Sequence, residues 1–436
     1  MGEMKQVEFN KPVLSGELLV PGDKSISHRA VMLGSIAKGR THITGFLNGD
    51  DCLRTIEMFK QLGVSIERKG TEVTVESPGM QNWKTPDDQL YAGNSGTTAR
   101  LMLGILAGST ITSTLTGDES LSLRPMNRVT IPLQMTGAKI TGKKDANLLP
   151  LTIKGSPLTA IDYVMPVASA QVKSAILFAG LNADGTTTVT EDKVSRDHTE
   201  RMLMHFGAKV DSLEKKVSIT GGHALEGIDV HVPGDISSAA FFMVAAAMIE
   251  GSSITFENVG LNPTRTGIID VLQEMGASVE ILNETNENGE PAATVKVTQD
   301  NLRGTTIGGA LIPRLIDELP VIALLATQAK GTTIIKDAEE LRVKETDRIA
   351  AVTTELKKLG ANIEATDDGM IIHGPTPLRG SVMDSYGDHR LGMMAAIAAL
   401  ATSGPVSIKD SECINISYPN FFEDLDTLVG NGSRNN

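Results

Sequence analysis

Along this chain, apolar runs of about a dozen residues alternate with short β-branched stretches and with helices that are apolar on one face only. Ile26–Ala37 reads as an apolar helix, and Gly39 is read as the glycine just past its end. Thr41–Phe46 follows as a strand. In Asp51–Leu62 the residues Leu53, Ile56, Phe59 and Leu62 fall three apart and predict an amphipathic helix. Val64–Glu67 and Val73–Glu76, introduced by Gly63, read as a strand pair. The same succession then recurs. A Gly-Ala-x-aliphatic signature stands at Gly137, Gly207, Gly276 and Gly360, with its variant at Gly63. The junction of apolar run, glycine and strand stands at Gly39, Gly108, Gly185, Gly251, Gly331 and Gly404. Six units of roughly 70 residues emerge.

A longer period contains the shorter one. Val20-Pro21-Gly22-Asp23 returns as Val232-Pro233-Gly234-Asp235, and Gly63-Val64-Ser65-Ile66-Glu67 returns as Gly276-Ala277-Ser278-Val279-Glu280. Two similar halves of three units each are therefore expected: 21–233, and 1–20 plus 234–436, with a strand Val7–Leu19 joining the second half. The fold class is α/β, each domain being three βαβαββ units around buried helices such as Ala239–Ile249, an inside-out α/β barrel. A solenoid would need shorter and more regular repeats. Two crossings through Pro-Gly joints suggest a hinge and a cleft.

Composition narrows the partners. The 436 residues carry 40 Lys and Arg against 53 Asp and Glu, a net charge of −13. Such a chain repels a polyanionic backbone, and 3% aromatics with one Trp gives little for bases to stack on, so nucleic acid is excluded as a general partner. The most apolar stretches, Ala239–Ile249 and Leu391–Ala401, fall far short of the ~20 residues that span a bilayer. Two cysteines, Cys52 and Cys413, make no disulfide framework, and eight histidines without metal-ligand spacing make no metal site. A cytoplasmic monomer is expected, without a membrane partner.

Within this acidic chain, cations gather at loops and at the starts of the buried helices: Lys24, Arg29, Arg100, Arg124, Arg128, Lys173, Arg196, Lys344, Arg348 and Arg390. Helix N-termini already favour anions, so their recurrence predicts sites for small anionic ligands. Asp317 reads equally well as a helix N-cap before Leu319–Ala326, Glu345 as a surface partner of its neighbours, and His389 as a core histidine.

Pro21-Gly22-Asp23-Lys24-Ser25-Ile26-Ser27-His28-Arg29, Gly93-Asn94-Ser95-Gly96-Thr97-Thr98-Ala99-Arg100, Leu341-Arg342-Val343-Lys344-Glu345-Thr346-Asp347-Arg348 and Gly387-Asp388-His389-Arg390 resemble, in order, four signatures of the enolpyruvyl transferases. The resemblance covers essentially the whole chain and favours the branch acting on shikimate 3-phosphate. It implies transfer of the enolpyruvyl group of phosphoenolpyruvate to the 5-hydroxyl of that sugar-like acid by addition and elimination, with no cofactor and no metal. Carried over by position, Lys24, Asp317 and Glu345 would be catalytic. Shikimate 3-phosphate would meet Lys24, Ser25, Arg29, Ser169, Gln171, Ser195, Arg196, Asp317 and Lys344. Phosphoenolpyruvate would meet Lys24, Asn94, Gly96, Arg124, Gln171, Arg348 and Arg390, the last two as bidentate clamps on its carboxylate.

Departures from the commoner pattern point to the divergent second bacterial class. Ala170 replaces a second serine after Ser169, Arg196 stands where it can compensate, Ile416 occupies the place of a late lysine, and Leu101 that of a proline. The sister enzyme acting on UDP-N-acetylglucosamine would carry a cysteine near Ser113–Arg124 and an asparagine after Lys24. Neither is present. A non-catalytic anion binder of the same fold would have no use for a proton-transfer set.

Overall fold

The computed structural model describes residues 3–287 and 289–430; residues 1, 2, 288 and 431–436 lie outside the described set. Contacts divide the chain into two units. One is Gly22–Val232 with Asn286–Glu290; the other gathers the chain up to Pro21, Pro233–Thr285, and the chain from Pro291 onward. Each has its own apolar core. The segment Asn286–Glu290 thus falls with the first of these units, although its sequence lies in the second half.

Three helices fill the centre of the unit Gly22–Val232: Lys24–Ile36, Gly96–Ala107 and Ala170–Gly180, buried along nearly their whole length. The other unit is built around Ile236–Met248, Leu319–Gln328 and His389–Ala398. Each of the first three opens on a side chain that satisfies an orphan backbone N–H. Asp23 accepts from Ile26, Ser95 from Thr98 and Ser169 from Val172. Asp235 and Asp388 do the same for Ser237 and Arg390. Buried helices cannot send those N–H groups to water, so their starts are fixed by the residue that precedes them.

One sheet plan repeats. In the first repeat the strand order is Asp229–His231, Lys38–Thr44, Glu72–Pro78, Ser65–Lys69, with the first pair parallel and the rest antiparallel. The parallel edge strand comes from the far end of the unit, so the unit closes on its own beginning and a solenoid is excluded. The same order holds for Leu90–Tyr91, Thr112–Thr116, Leu148–Lys154, Lys139–Gly142 and for Asp162–Val164, Thr186–Thr190, Lys216–Thr220, Lys209–Leu213. In the other unit Ser15–Leu18 lies parallel to Ser253–Gly260, and Met4–Val7 antiparallel to Val406–Lys409. The expected single strand Val7–Leu19 is therefore two strands in two sheets. Lys11 breaks it with φ 45°, and Pro12 removes a ladder donor.

The two series of glycines do different work, contrary to the reading of Gly39 as a helix stop. Helix Asp50–Gln61 ends on Gly63 at φ +89°, whose N–H bonds the Lys60 carbonyl at 3.0 Å while Val64 bonds that of Phe59 at 3.1 Å. That is a Schellman stop. Gly137, Gly207, Gly276 and Gly360 repeat it with the following alanine bonded back to Leu133, Leu203, Leu272 and Leu356. Gly39 instead lies inside the strand Lys38–Thr44. Its φ of +99° turns the chain out of the buried helix and into the sheet. Among the described residues no helix is long and apolar enough to cross a membrane.

Candidate active site

In the unit Gly22–Val232 the cations stand on the first turns of the three buried helices or beside them. Lys24 opens the helix Lys24–Ile36 and its ammonium pairs with Asp51, at the start of Asp50–Gln61; both side chains are under one-fifth exposed. Arg29, one turn on, is buried. Its Nε donates to Thr199 Oγ1 at 2.6 Å, Nη1 to the Ser25 carbonyl at 2.9 Å and Nη2 to Ser174 Oγ at 2.8 Å. Burial lowers its pKa to about 10 against the pull of Glu200 and Asp23, so it keeps its charge at neutral pH.

The second helix start is built for an anion. Ser95 caps Gly96–Ala107, and Arg124 donates to Asn94 Oδ1 at 2.6 Å and Ser120 Oγ at 3.2 Å. Asn94 in turn donates to Asp118 Oδ2 at 2.8 Å. Arg100 Nη1 reaches Gln171 Oε1 at 2.6 Å, and Gln171 Nε2 donates to Thr97 Oγ1 at 3.0 Å. A Cβ on Gly96 would lie 3.3 Å from Arg100 Nη1 and 3.6 Å from Arg124 Nη1. Glycine there leaves the space in front of both guanidinium groups open. Asn94, Gly96, Arg124 and Gln171 are thus brought together with Arg100, which the sequence places among the anion-site cations but in neither substrate subsite.

Ser169 caps the helix Ala170–Gly180, its Oγ accepting the Val172 N–H at 3.5 Å. Ser195 is almost fully buried, with its hydroxyl proton directed at Glu191, and Arg196 beside it is partly exposed. Beneath them Lys173 bridges Glu191 at 3.0 Å and Glu200 at 2.7 Å.

In the other unit a cluster of alternating charge centres on Arg348, the first residue of the helix Arg348–Lys358 and only 1% exposed. Its Nε donates to Asp388 Oδ2 at 2.7 Å, Nη2 to Asp388 Oδ1 at 3.2 Å and to Glu345 Oε2 at 2.7 Å, and Nη1 to Asp317 Oδ1 at 3.1 Å. Burial disfavours its charge, but Asp388, Glu345 and Asp317 together outweigh that and hold the guanidinium above the ordinary arginine range. The fork expected to clamp a substrate carboxylate is engaged by Asp388. Lys344 Nζ lies 3.3 Å from Asp317 Oδ1. Asp317 is not a helix cap: Glu318 holds that position for Leu319–Gln328, and Asp317 turns to Lys344 and Arg348. Arg390 is buried, its Nη1 on the Ser237 carbonyl at 3.1 Å and its guanidinium 5.9 Å from the Phe241 ring centroid. Its Nε–H has no partner among the described residues. Ile416 packs against the apolar core. Asp51 and Asp388 are the site residues that sequence reasoning passes over. Each pairs with a cation far away in the chain, a choice that no periodicity reveals.

A family model described as EPSP synthase (3-phosphoshikimate 1-carboxyvinyltransferase) matches residues 10–425. A 3-phosphoshikimate 1-carboxyvinyltransferase of Bacillus pumilus (strain SAFR-032) is 58% identical over 417 residues, covering 95% of this chain and 97% of its own. One of Bacillus cereus (strain G9842) is 57% identical over 416 residues, with the same coverage. The solved structure of EPSP synthase from Acinetobacter baumannii superposes with a TM-score of 0.88 at 44% identity, over 98% of both chains. The enolpyruvyl transferase NikO from Streptomyces tendae, at 18% identity, covers 100% of this chain and 98% of its own with a TM-score of 0.81, a likeness of fold alone.

Proposed function

Because the chain belongs to the EPSP synthase family and transfers the enolpyruvyl group of phosphoenolpyruvate to shikimate 3-phosphate, we propose residue roles for each step of that reaction. Addition joins the 5-hydroxyl oxygen to C2 of phosphoenolpyruvate while C3 gains a proton. Elimination removes a proton from C3, breaks the C2–O bond and releases phosphate. A base, an acid and fixed positive charge are needed.

Arg124, Lys24 and the open N-terminus at Gly96 receive the phosphate of phosphoenolpyruvate, with Asn94 and Gln171 orienting it. Arg390, buried with no partner for its Nε–H among the described residues, receives its carboxylate together with the Nη1 side of Arg348, whose Nε and Nη2 stay on Asp388. Ser25, Arg29, Ser169, Gln171, Ser195 and Arg196 form the shikimate 3-phosphate subsite with Lys344. Asp317 accepts the 5-hydroxyl proton. Glu345, at 28% exposure and hydrogen-bonded to Arg348, exchanges the proton at C3, and Lys24 stabilises charge on the leaving phosphate. The observation that carries these roles is the Asp317 carboxylate within 3.3 Å of both Lys344 and Arg348, beside Glu345.

Asp317→Asn tests it, since the amide keeps the size and cannot take a proton. Phosphate release should fall by about 10²–10⁴ while calorimetry still detects both ligands. Loss of binding with turnover per bound complex preserved would make Asp317 a structural residue instead. UDP-N-acetylglucosamine should not replace shikimate 3-phosphate. The same reading makes the protein a cytoplasmic monomer, which sedimentation at a mass of 46.3 kDa checks.

A further inference from the structure

We infer that Glu191 is a positioning residue for the shikimate 3-phosphate subsite, acting through Ser195 on the placement of Arg196; the inference rests on assigning those two residues to that subsite. Glu191 follows the strand Thr186–Thr190, and its own N–H is tied to the Lys215 carbonyl at 2.8 Å, so its backbone is fixed by the sheet. After three exposed residues, Asp192, Lys193 and Val194, the chain folds back on it. Ser195 donates its N–H to Glu191 Oε2 at 3.2 Å and its hydroxyl to Glu191 Oε1. The Ser195 carbonyl accepts from Lys173 Nζ at 3.4 Å. All three polar groups of Ser195 are thereby committed to buried partners. The residue is a fixed post from which Arg196 is presented.

Lys173 makes the clamp a junction. Its three ammonium protons match three acceptors: Glu191 Oε2 at 3.0 Å, Glu200 Oε1 at 2.7 Å and the Ser195 carbonyl. These belong to a strand end, to the helix His198–His205 and to the loop between them. The residues beside them in the two helices, Ser174 after Lys173 and Thr199 before Glu200, bond each other at 2.6 Å and hold Arg29. One buried network therefore sets Arg29, Ser195 and the root of Arg196 relative to one another. Lys173, Glu191 and Glu200 are each 4% exposed or less, which keeps them from touching a substrate. A buried ion cluster is weak evidence for stability because of its desolvation cost; what these contacts show is a strand end, a loop and a helix held to one ammonium. Burial lowers the Lys173 pKa, but Glu200 and Glu191 more than reverse this and keep it charged.

The test is steady-state kinetics on the full chain carrying Glu191→Gln. The amide keeps the shape but loses the charge opposite Lys173, and with its oxygen toward Lys173 its NH2 forces the Ser195 hydroxyl to turn from donor to acceptor. KM for shikimate 3-phosphate should rise at least ~10-fold, the scale of one charge-assisted hydrogen bond, with KM for phosphoenolpyruvate within about twofold. If that variant folds poorly, Glu191→Asp, which keeps the charge opposite Lys173 but shortens the reach to Ser195, is the second variant and should also raise that KM. Unchanged KM for shikimate 3-phosphate, or an equal rise in both constants, overturns the inference. Arg196→Ala separates the two levels of the argument. If it leaves KM for shikimate 3-phosphate unchanged, the subsite assignment fails and takes the inference with it. If it raises that KM while Glu191→Gln does not, only the positioning role fails.

Discussion

Replacing Asp388 by Asn removes one charge from the pair at the centre of the Arg348 cluster while leaving its shape. Arg348 and Asp388 are 1% and 0% exposed and share two bonds, at 2.7 and 3.2 Å. Breaking a buried pair from one side costs about 3–5 kcal/mol, because the remaining charge stays out of water. Here Arg348 keeps Asp317 at 3.1 Å and Glu345 at 2.7 Å. The lower end of the range, about 3 kcal/mol, is therefore expected. Asn can still accept the Arg390 N–H, which Asp388 Oδ1 binds at 2.8 Å, so the start of the helix His389–Ala398 survives. For a unit of this size each kcal/mol lowers Tm by about 2–4 °C, which predicts a fall of about 6–12 °C. Scanning calorimetry on ligand-free protein measures it. Arg40→Ala, which cuts an exposed pair 3.9 Å long, is the control and should cost at most about 1 kcal/mol. A Tm for Asp388→Asn within 2 °C of the parent would refute the reasoning.

Three further outcomes follow from the structure. Gly96→Ala places a methyl 3.3 Å from Arg100 and should raise KM for phosphoenolpyruvate more than KM for shikimate 3-phosphate; an equal effect on both would place the anion elsewhere. His28 is buried, with Nδ1 on Thr55 Oγ1 at 2.8 Å, and burial, with Lys24 and Arg29 nearby, holds its pKa well below the usual value. Its unfolded form alone takes up a proton below pH ~6.5, so the stability it contributes above that pH is lost as pH falls, by up to ~1.4 kcal/mol per unit. Urea unfolding at pH 7 and 5 should show this slope, and His28→Asn should flatten it. Cys52 and Cys413 are buried, and burial raises the Cys413 thiol to about 11. A thiol reagent at pH 8 should therefore label neither until the protein is unfolded.

The repeat, the buried helices and the charged helix starts were legible because each leaves a local mark. A capping Asp or Ser precedes an apolar run, and a Gly-Ala pair follows an amphipathic one. The two glycine series look alike because every member but Gly108, which caps the helix Gly96–Ala107 at φ −90°, has positive φ. The distinguishing feature is the small apolar residue after the glycine, Val64 after Gly63 and alanine in the other four, since the residue after a Schellman glycine bonds back into the helix. What stayed hidden was the choice among charges. The motif offers Arg348 as a cation for substrate but gives no sign that its Nε and Nη2 fork onto Asp388, forty residues away. Lys173 reads as one cation among many at a helix start. Only the fold shows it enclosed between Glu191 and Glu200.

The pairing of Met4–Val7 with Val406–Lys409, and of Ser15–Leu18 with Ser253–Gly260, bears on how the protein is made. Of the strands synthesised first, Met4–Val7 waits for Val406–Lys409 and Ser15–Leu18 for Ser253–Gly260, both made after the whole of Gly22–Val232. Gly22–Val232, by contrast, closes its first sheet with its own Asp229–His231 and lacks only Asn286–Glu290 of its unit, so most of it can fold as an insertion while its host is still being translated. A ribosome paused soon after residue 232 emerges should therefore display a protease-resistant core, with the first twenty residues still open to cleavage.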